Sequence, residues 1–153
     1  MRRLAAPAAL LVLLAACTAA PSPDPGPRPD EVDAWFGERS REPTPDALGA
    51  ATGRVDPADD ELDQPADAGI TLTYPEPAGL TGVRLSCFGP GSLDFEVHVT
   101  TASSQRTYAY ADLACDDEVD QAIAADDVTD VRVDAAGADH AGAWHAVVLG
   151  QEG

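Results

Sequence analysis

SLDFEVHVTT, residues 92–101, alternates polar and apolar side chains from Ser92 to Thr100. Successive side chains of a β-strand point to opposite faces of the sheet, so a period of two predicts a strand with one buried face. The apolar set, which we expect to face a core, consists of Leu93, Phe95, Val97 and Val99. The stretch therefore predicts a strand that packs on the core of a β-rich domain.

Runs of similar character lie on both sides of this strand. They are ITLTY (70–74), GVRLSCFG (82–89), RTYAYADLAC (106–115), VTDVRVDAAG (128–137) and AWHAVVLG (143–150). Gly-Pro-Gly at 89–91, Ser103-Ser104 and Gly137 fall between runs and predict turns. The segment DDEVDQAIAAD (116–126) fits either a short strand or one helical stretch. Six or seven short strands within residues 67–153 predict an all-β fold, a small antiparallel β-sandwich.

Two of the three cysteines belong to this domain. Cys87 shares the inward parity of Val83 and Leu85, and Cys115 follows 28 positions later. In an exported protein such a pair is expected to form a disulfide, which would stabilise a small core. A metal site is the alternative, but neither cysteine has a Cys or His partner at zinc spacing.

The N-terminal residues have the pattern of an export signal. Arg2 and Arg3 precede a 13-residue apolar run, Leu4–Ala16, which is too short to span a bilayer. Leu14-Ala15-Ala16-Cys17 resembles the lipobox of bacterial lipoproteins, in which the cysteine receives a diacylglyceryl group and becomes the first mature residue. That resemblance implies a protein held at the extracytoplasmic face of the cell membrane by lipid on Cys17. The alternative is an ordinary signal peptide with an incidental cysteine.

Residues 17–66 are rich in proline and acidic residues, and we predict a disordered tether for this interval. A coil of about 50 residues would typically extend roughly 35–45 Å. The predicted organisation is thus a signal peptide (1–16), a tether (17–66) and a β-sandwich (67–153). Trp35 and Phe36 interrupt the tether, either as a short helical patch that docks on the domain or as a partner-binding motif.

The charge of the chain is strongly negative. The formal net charge of −18 becomes −20 once Arg2 and Arg3 are removed with the signal peptide, and the chain contains no lysine. This charge argues against nucleic-acid partners and against electrostatic binding to anionic lipid. Without lysine, Schiff-base chemistry and a phosphate-loop lysine are excluded.

A second resemblance covers roughly residues 79–149. LSCFGPGSLDFEVHV, LACDD and the closing GAWHAVVL are similar to a recurring small β-sandwich in lipoproteins of high-GC Gram-positive bacteria. The resemblance implies a fold and a location, and it implies no catalytic residues.

Residues capable of chemistry are few. Asp94, Glu96 and His98 would share the outward face of one strand, and His140 and His145 lie near the last strand. Carboxylates and imidazoles together can ligate zinc or copper, yet a solvated strand face explains them equally simply, so we predict no metal site. The acidic string 56–67 lacks the glycine and terminal glutamate of an EF-hand. We predict no catalytic residues and no cofactor.

Aromatic side chains offer one further candidate site. Tyr108, Tyr110 and Trp144 could stack on sugar rings if they share an exposed face, although aromatic residues of small sandwiches often fill the core. The sequence therefore predicts a non-enzymatic interaction module that contacts an envelope protein or a wall component. The alternatives are a carbohydrate- or small-ligand-binding module and a small hydrolase.

Overall fold

The structure is a computed structural model that describes residues 26–57 and 69–153. Within these ranges the chain forms one helix and six strands. They are α1 Pro29–Arg39, β1 Ala47–Val55, β2 Ile70–Phe88, β3 Ser92–Thr101, β4 Gln105–Ala114, β5 Glu118–Ala136 and β6 Gly142–Gln151. The predicted signal peptide, Cys17 and most of the acidic string 56–67 lie outside the described residues.

The six strands form one antiparallel sheet in the order β1-β6-β2-β5-β3-β4. β2 and β5 are 19 residues long, about twice the length of the others, and each contributes to two layers. The second half of β2 pairs with β6 and the first half of β5, whereas the first half of β2 pairs with the second half of β5, beside β3 and β4. The sheet thus folds over itself into a sandwich-like pair of layers, which confirms the all-β prediction.

The fold-over occurs where the β2–β5 register is irregular, between Thr73 and Gly82. A Cβ atom on Gly82 would lie 2.7 Å from the Gln121 carbonyl oxygen, so the close approach of the two backbones requires glycine here. We call this end of the sandwich, with the β3–β4 turn, the bend end. The opposite end carries the turns 89–91, 115–117 and 137–141 and receives the chain at Gly26, and we call it the entry end.

The core lies between the two layers. Phe95, Val97 and Val99 are almost fully buried, as the alternation of residues 92–101 predicts. Phe95 of one layer meets Trp144 of the other edge to face, with ring centroids 6.3 Å apart. The predicted disulfide is confirmed, because Cys87 and Cys115 are bonded and their Cα atoms are 4.4 Å apart. It joins the end of β2 to the residue after β4, and so closes the entry end across the layers.

Most of the ambiguous segment 116–126 is strand, because β5 begins at Glu118, whereas Asp116 and Asp117 belong to the turn before it. Val119 and Ile123 are four residues apart, a spacing that places two side chains on one face in a helix and in a strand alike. Ile123 is buried in the core and Val119 packs against it. Pairing with β2 decides the conformation, since Leu85 lies opposite Val119 in the ladder.

The predicted tether interval 17–66 contains regular structure, which is a correction to the predicted domain boundary. Both α1 and β1 lie inside it, and β1 extends the sheet by pairing with β6. Its sequence, ALGAATGRV, offers only small or weakly alternating side chains, so local pattern does not identify it. Burial of Ala51 and Val55 against a neighbour about 90 positions away stabilises this strand.

α1 lies on the outer face of the layer that contains β1 and β6. Pro29 occupies its first turn, and the Arg28 backbone N–H donates to the Glu31 carboxylate at 2.8 Å, so the helix start is capped. Ion pairs fasten the helix at two points, Arg54 to Asp33 and Arg39 to Glu118, each at 2.6 Å. Among the described residues, no helix is long and apolar enough to cross a membrane.

Candidate binding groove at the entry end

A groove with a cavity volume of about 370 Å³ opens between α1 and the disulfide-bonded end of the sandwich. We call it the entry groove. α1 supplies one wall, the end of β2 with the disulfide supplies the floor, and the β4–β5 turn supplies the rim. Its lining residues are Trp35 and Arg39 (wall), Cys87, Phe88, Gly89 and Cys115 (floor), and Asp116 and Asp117 (rim).

The wall and floor meet in an aromatic pair. Trp35 stacks on Phe88 with ring centroids 5.7 Å apart and an interplanar angle of 18°. The Arg39 guanidinium lies 5.5 Å from the Trp35 ring centroid, and His145 meets the same ring edge-on at 6.4 Å. Trp35 therefore docks on the domain, as one of the two interpretations of the Trp35-Phe36 pair expects.

The helix covers two polar residues of the sheet. Ser86 and His145 are opposite each other in the β2–β6 ladder, point away from the core, and are nevertheless buried, with His145 only 7% exposed. Burial lowers the pKa of His145 below its usual value, and the nearby positive charge of Arg39 lowers it further. The imidazole is thus held preferentially neutral beneath Trp35.

This burial predicts a pH-dependent stability. A histidine with a lowered pKa in the folded state stabilises the fold fully above its unfolded pKa near 6.5, and this contribution is lost as pH falls through that value towards the folded pKa. We expect His145→Gln to be less sensitive than the wild type to a change from pH 7.5 to 5.5, measured by urea unfolding. His140→Gln in the β5–β6 turn is the control. Equal pH sensitivity of the wild type and His145→Gln would contradict the prediction.

The cation of the groove is already neutralised. Arg39 pairs with Glu118 at 2.6 Å and with Glu42 at 3.1 Å. Arg84, on β2, pairs with Asp120 of β5 at 2.7 Å and lies 3.4 Å from Glu118. The hydrogen bond from Arg84 lowers the pKa of the Asp120 carboxyl. This network ties the end of α1 to β2 and β5.

The rim acids differ from these paired carboxylates. Asp116 and Asp117 are exposed in the β4–β5 turn. Within residues 26–57 and 69–153, the structure gives their carboxylates no hydrogen bond and no ion pair. The rim of the groove therefore carries two negative charges that the described residues do not balance.

Tyr108, Tyr110 and Trp144, the candidate stacking residues, do not share an exposed face, and the alternative that they pack in or against the core holds. Trp144 is 3% exposed and contacts Phe95 inside the core. Tyr108 and Tyr110 lie opposite Val97 and Phe95 in the β3–β4 ladder and pack against the core from the sheet edge. Large aromatic surfaces are stabilised most by burial, so these rings complete the core.

The three histidines lie in three different places. His98, on the outer face of β3, meets Asp134 at 3.1 Å, Glu96 at 3.5 Å and the Thr107 hydroxyl at 2.9 Å. Arg132 also binds Asp134, two residues along β5, so this set combines polar pairs within a strand with pairs between neighbouring strands. His145 lies under α1, and His140 lies in the β5–β6 turn. In the described part of the chain, no cluster of His, Cys, Asp or Glu has the geometry to hold a metal ion.

Sequence reasoning did not identify the entry groove. Trp35 falls within the predicted tether, Phe88 has outward parity beside Cys87, and the rim acids belong to a segment of ambiguous conformation. The available signal was the Trp35-Phe36 pair in an otherwise polar interval. Only the helix docking brings it to the disulfide.

No protein-family model, curated protein or solved structure matches this chain. The chemistry of the groove is therefore argued from its own residues.

Proposed function

We propose that this protein is a lipid-anchored, extracytoplasmic lipoprotein that presents a non-enzymatic interaction module, with the entry groove as its binding surface. The lipobox-like Leu14–Cys17 and the similarity to small sandwich domains of high-GC Gram-positive lipoproteins support the location. Two acyl chains on Cys17 would hold the protein stably at the membrane, since each buried CH₂ contributes about 0.8 kcal/mol.

The position of the groove is the observation that carries the proposal. A Cβ atom on Gly89, which lines the groove, would lie 3.5 Å from Cδ of Pro27, so the chain enters the domain at the groove. Gly26 lies only nine positions after Cys17. A chain of that length spans at most about 30 Å. An anchored domain would thus keep its groove close to the membrane. The chain that connects it to the anchor would be shorter than the predicted tether of residues 17–66.

The chemistry of the lining favours binding over catalysis. It consists of aromatic rings, a paired arginine, a disulfide and two carboxylates, and it includes no histidine or hydroxyl that could serve as base or nucleophile. The His98 set lies on the outer face of β3 and is accounted for by polar pairing within and between strands. Among the described residues, these features support a binding module over a catalyst.

A small-ligand-binding module is the second candidate, because a volume of about 370 Å³ falls within the range of ligand pockets. Sugar stacking is less favoured than other ligand chemistry. The Trp35 ring already has Phe88 stacked on it and the Arg39 guanidinium over it, which leaves little free face for a sugar ring.

Crosslinking of the anchored protein tests the proposal. We expect a photo-crosslinking phenylalanine derivative in place of Asp117 to capture a discrete membrane-fraction protein in the producing cells. The same residue in place of Asp126, an exposed acid at the bend end, is the matched control and should capture none. Cys17→Ala should release the protein from the membrane fraction and abolish the adduct.

Two results would contradict this proposal. One is an N-terminal segment of the wild-type protein whose mass shows no lipid on Cys17. The other is an adduct that forms equally from positions 117 and 126, since it would report random collision.

A further inference from the structure

We propose that the entry groove takes an arginine-bearing segment from the extracytoplasmic face of a membrane protein. This inference rests on the proposed function and names the chemistry of its partner. Three features of the groove support it: unbalanced negative charge at the rim, the aromatic ring of Phe88 in the floor, and a position at the membrane-proximal end.

The positive charge of the wall is paired, whereas within the described residues the negative charges of the rim are not. Arg39 is neutralised by Glu118 and Glu42, so it does not offset the rim acids. Asp116 and Asp117 are left facing the groove mouth on a chain whose net charge is already strongly negative. A cationic ligand would be steered to this site and would pair with both carboxylates, whereas an anionic ligand would be repelled.

Arg39 already covers the Trp35 ring, so the aromatic surface left for a ligand is that of Phe88. The Arg39 guanidinium lies over the Trp35 ring at 5.5 Å, and Phe88 extends the aromatic surface into the groove. An aromatic ring attracts a guanidinium electrostatically, and the planar group also stacks on it. An incoming arginine that reaches the rim acids would lay its stem along Phe88.

The position of the groove favours a protein segment over a lipid surface as the ligand. The chain enters beside Gly89, so an anchored domain presents the groove within about 30 Å of the membrane. Anionic lipid headgroups that came within a Debye length of Asp116 and Asp117, about 8 Å at physiological salt, would be repelled. A positively charged loop of a membrane protein fits both the place and the charge.

The test uses the lipidated full-length mature protein in phosphatidylcholine nanodiscs. The probe is a fluorescein-labelled, terminally blocked peptide of alternating arginine and leucine, and the comparison peptides carry glutamate or glutamine in place of arginine. We expect anisotropy to show saturable binding of the arginine peptide alone, weakened by 0.5 M NaCl. The double variant D116N/D117N should bind it about tenfold more weakly.

The matched control is D126N/D127N, which removes the same two charges from an adjacent exposed pair at the bend end. It should leave the affinity unchanged. If the glutamine peptide binds as tightly as the arginine peptide, or both double variants weaken binding equally, the charge inference is overturned while the groove remains a binding surface. If phosphatidylglycerol is added to the nanodiscs and binds in the groove, the inference is overturned in favour of a lipid ligand. No binding of any peptide, together with no crosslink from position 117, would overturn the proposed function as well.

Discussion

Replacing both Cys87 and Cys115 by alanine is expected to lower the free energy of unfolding by about 3–4 kcal/mol. The two residues are 28 positions apart, and in the chain-entropy model a crosslink over such a loop restricts the unfolded chain by about this amount. The bond also closes the entry end, where the two layers contribute Cys87 and Cys115 to the groove floor. Urea unfolding followed by circular dichroism measures the change, in a Cys17→Ala background that leaves no other thiol.

Reduction supplies the control for this prediction. Dithiothreitol should lower the stability of the parent protein by a similar amount and should leave the double variant unaffected. An unchanged unfolding midpoint in the double variant would contradict the prediction, and would mean that packing alone holds the entry end together.

Phe95→Ala should lower the free energy of unfolding by about 3–5 kcal/mol, the usual cost of emptying a fully buried aromatic site. Phe95 has no exposed surface, and its edge-to-face contact with Trp144 connects the two layers across the core. Removing the ring leaves a cavity beside Trp144, between the two layers. The same unfolding experiment measures the loss.

Phe36→Ala is the matched control, because it removes the same side chain from a half-buried site on α1. Its neighbours are Trp35 on the same helix and the half-exposed guanidinium of Arg54. We expect it to cost well under half as much as Phe95→Ala. Equal losses would show that the Phe95–Trp144 contact contributes nothing beyond ordinary surface burial.

Much of the fold could be predicted from local pattern. The alternation in residues 92–101 identifies both the strand and its buried face, since the period of side chains along a strand does not depend on which strand it pairs with. The disulfide follows from a similar argument, because the inward parity of Cys87 and the predicted export signal leave Cys87 and Cys115 as natural partners. Turns at 89–91 and 137 likewise depend on glycine, whose φ is positive at Gly89, Gly91 and Gly137.

The candidate site could not be predicted in this way, because each part of it depends on contacts between distant residues. Trp35 acquires its place by stacking on Phe88, 53 positions later, and Asp117 reaches the same groove through the disulfide. Neither residue belongs to a local apolar period. Their convergence is a property of how the sheet folds over and where α1 docks.

The sequence by itself determined the strand at 92–101 with its buried face, most of the other strands, and the pairing of the two domain cysteines, since these follow from spacing within a few residues or from the predicted compartment. Tertiary structure alone decided that β2 and β5 each serve two layers, that residues 47–55 add a strand, and that α1 docks to form the groove. Hydrogen-bonding partners along a ladder and burial against remote side chains set these outcomes, and neither quantity is encoded in the local period of a segment.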